Sequence, residues 1–145
     1  NVKFDLVGSE DESLDAIPIE EVASWSSHVN YCGATNDVRQ YIEKCHVYVL
    51  PSYHEGLPRS TLEAMSMGRP VITTNAVGCK ETVNDGANGF MVPVGSITKL
   101  AEKMIWFIEN KDKIQKMGDE SRRIIEDKFD VRKVNKEMLR ILDIK

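Results

Sequence analysis

Residues 46–74 read HVYVLPSYHEGLPRSTLEAMSMGRPVITT, and this stretch decides the fold. Two short β-prone runs, Val47 to Leu50 (VYVL) and Pro70 to Thr74 (PVITT), flank a helix-compatible segment. Continuous apolar runs of this length are the pattern of strands buried on both faces. Between them, Pro58 suits a first helical position because its fixed φ is already helical and no N–H is needed there. Gly68 suits the stop. The spacing therefore predicts strand, turn, helix from about Pro58 to Met67, then strand.

The same alternation continues outward. Upstream, Val2 to Val7 alternates and ends at Gly8, which predicts a strand and then a loop. The acidic stretch Ser9 to Asp15 is expected to be exposed. A short helix is predicted over Pro18 to Ser27, and a strand over His28 to Cys32, stopped by Gly33. Asn36 or Asp37 can cap a helix running to Lys44. Downstream, Gly78 to Asn84 predicts a short helix, Asp85-Gly86 a turn, and Gly89 to Val92 a strand closed by Pro93. From Ser96 onward the pattern is helical, with apolar stripes through Leu100, Met104, Phe107 and Ile108, then Ile114, Met117, Ile124 and Ile125, then Val131, Val134, Met138 and Leu142. Strands and helices in βα order predict an α/β fold: a Rossmann-like parallel sheet with helices on both faces. In such sheets ligands bind beyond the carboxyl ends of the strands, where the segment from Pro51 to Ser60 lies.

Bulk properties narrow the function classes. The 145 residues suffice for one domain, 1–145, with an ordinary core. Hydrophobic residues make up 41% and charged residues 29%, the balance of a globular chain in water. The net charge is −4 and there is no basic stripe, which argues against nucleic acid as a partner. Cys32, Cys45 and Cys79 form no CxxC pair and read as buried, reduced thiols of a cytoplasmic protein. No four-ligand cluster suggests zinc, so no metal is expected. No apolar stretch approaches about 18 residues, so membrane contact is not expected from this segment; a peripheral place at the inner membrane is left open for a longer protein. The chain starts at Asn1 and enters a strand at once, which reads as a fragment lacking an upstream part.

The chemistry concentrates on Glu55 and Glu63, which are separated by seven residues. Gly56 has no Cβ and lets a ligand approach the backbone. The N–H groups of Arg59, Ser60 and Thr61 are expected to point out of the helix start, where the dipole favours an anion. Glu63, further along the helix, can accept from a vicinal diol such as a ribose. Glu55, before the helix, can accept from the hydroxyls of a sugar. The ligand that fits is anionic in the middle and rich in hydroxyls at both ends. The alternative for a glutamate early in a helix is a favourable interaction with the dipole alone.

The segments VKFDLVGS, YCGATNDV, CHVYVLPSYHEG and LPRSTLEAMSMGRPVITTNAVGCKETVNDGANGFMVPVGS, with E-x7-E inside PS-x-x-EG and EAM-x-x-G-x-PV, resemble a known family. It is the C-terminal, nucleotide-sugar-binding domain of family 4 retaining glycosyltransferases, glycosyl transferases group 1, with the GT-B fold. The resemblance covers nearly the whole chain. It implies that Glu55 contacts the transferred sugar as the catalytic glutamate and that Glu63 holds the ribose. It implies that the backbone around Gly56, Leu57, Arg59 and Ser60 faces the sugar and diphosphate. Ser52 is expected to line the cleft, and the Gly33 loop, with Asn36 to Val38, to lie near the base. The substrate implied is a nucleotide-diphosphate sugar, with no cofactor and no bound metal. The acceptor implied is a saccharide or lipid-linked acceptor, held mainly by an N-terminal domain that is absent here. The family's first strand-loop-helix, which usually brings an Arg and a Lys to the diphosphate, would precede Asn1. The chain alone is therefore expected to be inactive, and a role in cell-surface polysaccharide synthesis is expected of the whole.

Other residues carry less. His54, beside Glu55, occupies a variable family position, and His28 and His46 read as structural. Arg59 is either a diphosphate or acceptor contact or an exposed helix-start arginine. Gly78, in GCKETV, is either a close-approach glycine or a turn glycine. Trp25, Trp106 and Phe107 read as packing residues, and residues 109–128 as a solvated helical face. Two other functions stay open: a non-catalytic module that binds a nucleotide sugar or a protein, and a sugar epimerase.

Overall fold

In the computed structural model the described residues are 2–11, 13, 16–25 and 27–143. The chain divides into two compact units, residues 1–41 and 42–145. In the first, β1 (Phe4–Val7) pairs in parallel with β2 (Val29–Gly33), and α1 (Ile19–Ser24) connects them. The ladder slips between Leu6 and Val7, so that Val7 meets Gly33. Gly33 has φ +71, and its carbonyl accepts from the Gly8 N–H at 3.0 Å. β1 begins at Phe4 rather than Val2, and α1 ends at Ser24, short of the predicted Ser27. Glu12, Leu14 and Asp15 of the acidic stretch lie outside the described residues, and Ser9, Glu10, Asp11 and Ser13 are exposed.

The helix predicted from residue 36 or 37 to 44 is only α2 (Arg39–Ile42). Its start is organised by side chains: Thr35 Oγ1 accepts from the Asp37 N–H, and Asp37 Oδ1 from the Arg39 N–H.

The second unit carries a parallel sheet in the order β3 (Tyr48–Leu50), β4 (Val71–Thr74), β5 (Gly89–Val92). α3 (Arg59–Ser66) links β3 to β4, and one 3-10 turn, Cys79–Glu81, stands where a helix to Asn84 was predicted. α4 (Ile97–Glu109), α5 (Ile114–Lys128) and α6 (Val131–Ile141) follow. All strand pairs are parallel, as predicted, but the ladders form a two-stranded and a three-stranded sheet. β4, between two neighbours, is buried along its whole length, as the run VITT implied. β3 is only half-buried, against the expectation for VYVL, because it lies at the edge of its ladder.

Alternation along β4 sends its side chains to opposite faces, and each face has its own core. Ile72 packs with Phe90, Val92, Phe107 and Met117, against Leu100, Met104 and Trp106 of α4. Phe90, Trp106 and Phe107 meet edge to face with centroids 4.8–5.5 Å apart, which bears out the two α4 aromatics as packing residues. Val71 packs with Met65, Val83 and Ile124, so α3 and α5 cover the other face. Residues 109–128 are therefore more than a solvated face: α5 buries Met117, Gly118, Ser121 and Ile124. A Cβ on Gly118 would overlap the Gly68 carbonyl, so the end of α3 meets α5 backbone to backbone. Gly68 itself, at φ +68, ends α3 as expected. α6 forms where the helical pattern predicts it and buries none of its residues. Of the cysteines only Cys79 is buried; Cys32 and Cys45 are half-buried, contrary to the expectation for all three.

Candidate functional site

Ser52, Glu55, Gly56, Leu57, Arg59, Ser60 and Glu63 all belong to the second unit, on the connection from β3 into α3. Gly33 belongs to the first unit.

The connection is fixed from beneath by the ends of its neighbours. Thr73 Oγ1 donates to the Leu50 carbonyl at 2.8 Å, and Thr74 Oγ1 donates to the Ser52 carbonyl. The Glu55 N–H donates to the Val77 carbonyl at 3.2 Å. Gly78, at φ +78, packs so closely that a Cβ there would overlap the carbonyl oxygens of Glu55 and Gly56. Gly78 is thus a close-approach glycine, and the backbone it approaches is the protein's own. The two threonines and Val77 were not singled out from the sequence. Their signal is the polar end of PVITT, since threonine at the last positions of a buried strand needs a nearby acceptor.

Above this support the site is open. A Cβ on Gly56 would meet nothing within 4 Å, so the chain leaves space over that residue. Pro58 is the N-cap of α3, so the helix begins one residue later than predicted, and the Pro58 carbonyl accepts from the N–H groups of Thr61 and Leu62. The Thr61 N–H is therefore not available, which corrects the sequence reading. Among the described residues none accepts from the N–H groups of Gly56, Leu57, Arg59 or Ser60. The unsatisfied donors at the start of a helix favour an anion, and the helix dipole adds to this.

The two carboxylates flank these donors differently. Glu55 is half-buried, and its Oε1 accepts from Ser52 Oγ at 2.7 Å, which fixes the carboxylate and leaves further acceptor capacity. Glu63 is the fifth residue of α3, is exposed, and has no hydrogen bond from its side chain among the described residues. Both lie close enough to Tyr48 to act on its phenol. Burial is the main cause that raises this phenol above its ordinary value, the neighbouring Ser60 and Thr61 hydroxyls oppose it, and the charges of Glu55 and Glu63 raise it further. Arg59 is exposed and makes no ion pair among the described residues.

Residues 1–110 match the family of glycosyl transferases group 1. The chain belongs to that family. It is 32% identical over 108 residues to N,N'-diacetylbacillosaminyl-diphospho-undecaprenol alpha-1,3-N-acetylgalactosaminyltransferase of Campylobacter jejuni, covering 74% of this chain and 28% of that protein. It is 33% identical over 109 residues to the Vi polysaccharide biosynthesis protein VipC/TviE of Salmonella typhi, covering 71% of this chain and 19% of that protein. Its fold matches that of Anabaena Alr3699/HepE, crystallised in complex with UDP, with a TM-score of 0.88 and 27% identity, over 98% of this chain and 41% of that one. The C-terminal domain of the group 1 glycosyl transferase LpcC from Francisella tularensis shares the fold at a TM-score of 0.69 and 21% identity, over 78% of this chain and 62% of that one. The chain thus spans about a third or less of these two curated relatives. In this member of the family the E-x7-E segment is the β3–α3 connection described above, and the parallel, Rossmann-like strand pairing is the one the sequence predicts.

Proposed function

We propose that this chain is the donor-binding half of a family 4 retaining glycosyltransferase. In this reading it binds a nucleotide-diphosphate sugar. As part of a longer protein it supports transfer of the hexosyl group to a saccharide or lipid-linked acceptor, in cell-surface polysaccharide synthesis. The observation that carries the reading is the set of unsatisfied N–H groups at the start of α3, lying between the Glu55 and Glu63 carboxylates. A diphosphate needs donors without competing acceptors, and the groups on either side of it need acceptors. The segment supplies both in that order along the chain. The complexes of Anabaena Alr3699/HepE with UDP and with UDP-glucose support the ligand class. The polysaccharide and lipid-linked relatives support the process.

Each residue then has a task. Glu63 accepts from the ribose hydroxyls. The amides of Gly56, Leu57, Arg59 and Ser60 hold the diphosphate, with no metal ion required. Glu55, held by Ser52, accepts from the sugar hydroxyls. In transfer, the bond from the anomeric carbon to the diphosphate oxygen breaks and a bond to the acceptor oxygen forms on the same face. The acceptor proton passes to the departing diphosphate. The amides stabilise the charge that grows there, a preorganised arrangement that needs no reorientation during the reaction.

The test uses the full-length protein and a donor screen that follows nucleoside diphosphate release. Turnover with one donor is expected, and Glu55→Ala is expected to reduce it by roughly 100-fold, in the range for losing one preorganised transition-state contact. Unaltered turnover in that variant removes Glu55 from the site. Epimerised nucleotide sugar formed without an acceptor would replace the transferase reading.

A further inference from the structure

Tyr48 and Ser60 form a pair whose chemistry the donor-site description leaves unused. Tyr48 opens β3 and packs against the core of Met65, Val71, Val83 and Ile124. Its hydroxyl donates to Ser60 Oγ at 2.7 Å. Thr61 Oγ1 is fully buried beside the phenol and has no hydrogen-bond partner of good geometry. A phenol in this position remains neutral, so it keeps its proton and acts as a donor at physiological pH.

The direction of that bond decides what Ser60 can do. A serine hydroxyl has one donor and two acceptor sites. With one acceptor site of Ser60 taken by Tyr48, its own proton is left, and it is given to no group among the described residues. The Ser60 N–H has none either. Ser60 is the second residue of α3, and side chains of a helix tilt toward its N-terminus, the end that carries the unsatisfied amides. Glu55 and Glu63, the nearby acceptors that could compete, act on the phenol through their charge and receive no bond from Ser60.

We propose that Tyr48 is a positioning residue that orients the Ser60 hydroxyl toward the anionic centre of the donor, so that Ser60 gives two hydrogen bonds to the diphosphate, one from N–H and one from Oγ–H. The inference rests on the donor-site reading above. It adds a side-chain donor to a site otherwise built from amides, and it gives the half-buried tyrosine a role that a phenylalanine cannot fill.

The test measures binding of nucleoside diphosphates (UDP, dTDP, GDP and ADP) and of their parent nucleosides to the full-length protein by calorimetry. If wild type binds none of the diphosphates, the donor-site reading fails and the inference falls with it. If it binds one, Ser60→Ala is expected to weaken that diphosphate about ten-fold, as for one charge-assisted hydrogen bond, and to leave the nucleoside within about two-fold. Ser60→Thr is expected to restore binding. Tyr48→Phe is expected to weaken the diphosphate less, about three-fold, and the double variant to be no worse than Ser60→Ala. Should Ser60→Ala fail to fold, Ser60→Cys is expected to show the same loss of the diphosphate. Three results would overturn the proposal: unchanged diphosphate binding without the serine hydroxyl, equal weakening of nucleoside and diphosphate, or multiplying effects of the two single variants. Equal weakening would mean that the pair only props the helix.

Discussion

The two compact units use their apolar residues differently. In the second, β4 is buried throughout, and a separate core stands on each face of its sheet. In the first, Val22 is the buried apolar residue among those described, while Phe4 and Leu6 of β1 remain 39% and 40% exposed. The same parallel pairing therefore rests on unequal burial. Strand pairing without a covered face contributes little by itself, because apolar area removed from water supplies most of the stability. The catalytic candidate Glu55 sits on the well-covered unit, where Thr73, Thr74, Val77 and Gly78 contact the backbone of the β3–α3 connection. The difference teaches that precision at the E-x7-E segment comes from the strand ends beneath it.

The comparison is broken or sharpened first in the core. Ile72→Ala removes a fully buried side chain from the α4 face and is expected to cost about 2–5 kcal/mol, read by urea unfolding. Phe4→Ala, at a part-exposed position, is expected to cost less than about 1 kcal/mol. Equal costs would remove the contrast. Gly118→Ala drives a methyl group into the Gly68 carbonyl, and a loss of about 1–3 kcal/mol is expected. Hydrogen exchange gives the same ordering without mutation: the β4 amides are expected to exchange more slowly than those of β1.

The smallest effect concerns the first unit's surface. The Arg39 guanidinium and N–H bonded to Asp37 hold its carboxyl down, from 3.8 to about 2. A depressed value means that the pair's contribution is present above the ordinary carboxylate range and is lost as the pH falls from about 4 through about 2. Carbon NMR titration of Asp37 should show the low midpoint, and Arg39→Ala should return it toward the ordinary range. The effect on unfolding should be small, because the pair is exposed to water.

Much of this was legible in the sequence. PVITT gave a buried strand because four β-branched residues in a row carry no charge and show no apolar–polar alternation. The Pro58–Gly68 punctuation bounded α3 to within a residue or two. The order in which Glu55, the amides and Glu63 occur follows from a helix start placed between them. What escaped depends on contacts between distant segments. Burial of β3 depends on its edge position in the ladder, which no local pattern carries. Gly118 reads as a helix-weakening residue in a charged run until Gly68 is brought against it. The Thr61 N–H was counted as free because an α-helical first turn leaves it so, whereas here the turn tightens and Thr61 bonds back three residues to the Pro58 carbonyl. The Tyr48–Ser60 bond joins residues 12 apart across a strand and a helix, and neither residue signals the other.

The central claim is that Glu55 and Glu63 divide one ligand between them, ribose to Glu63 and sugar to Glu55. Calorimetry of the full-length protein with a nucleoside, its diphosphate and the diphosphate sugar tests it most directly. Glu63→Gln should weaken all three about ten-fold or more, since each carries the ribose. Glu55→Gln should leave the nucleoside and diphosphate unchanged and weaken only the sugar-bearing donor. Wild-type affinity for the nucleoside in Glu63→Gln, or a loss of nucleoside binding in Glu55→Gln, would contradict the account.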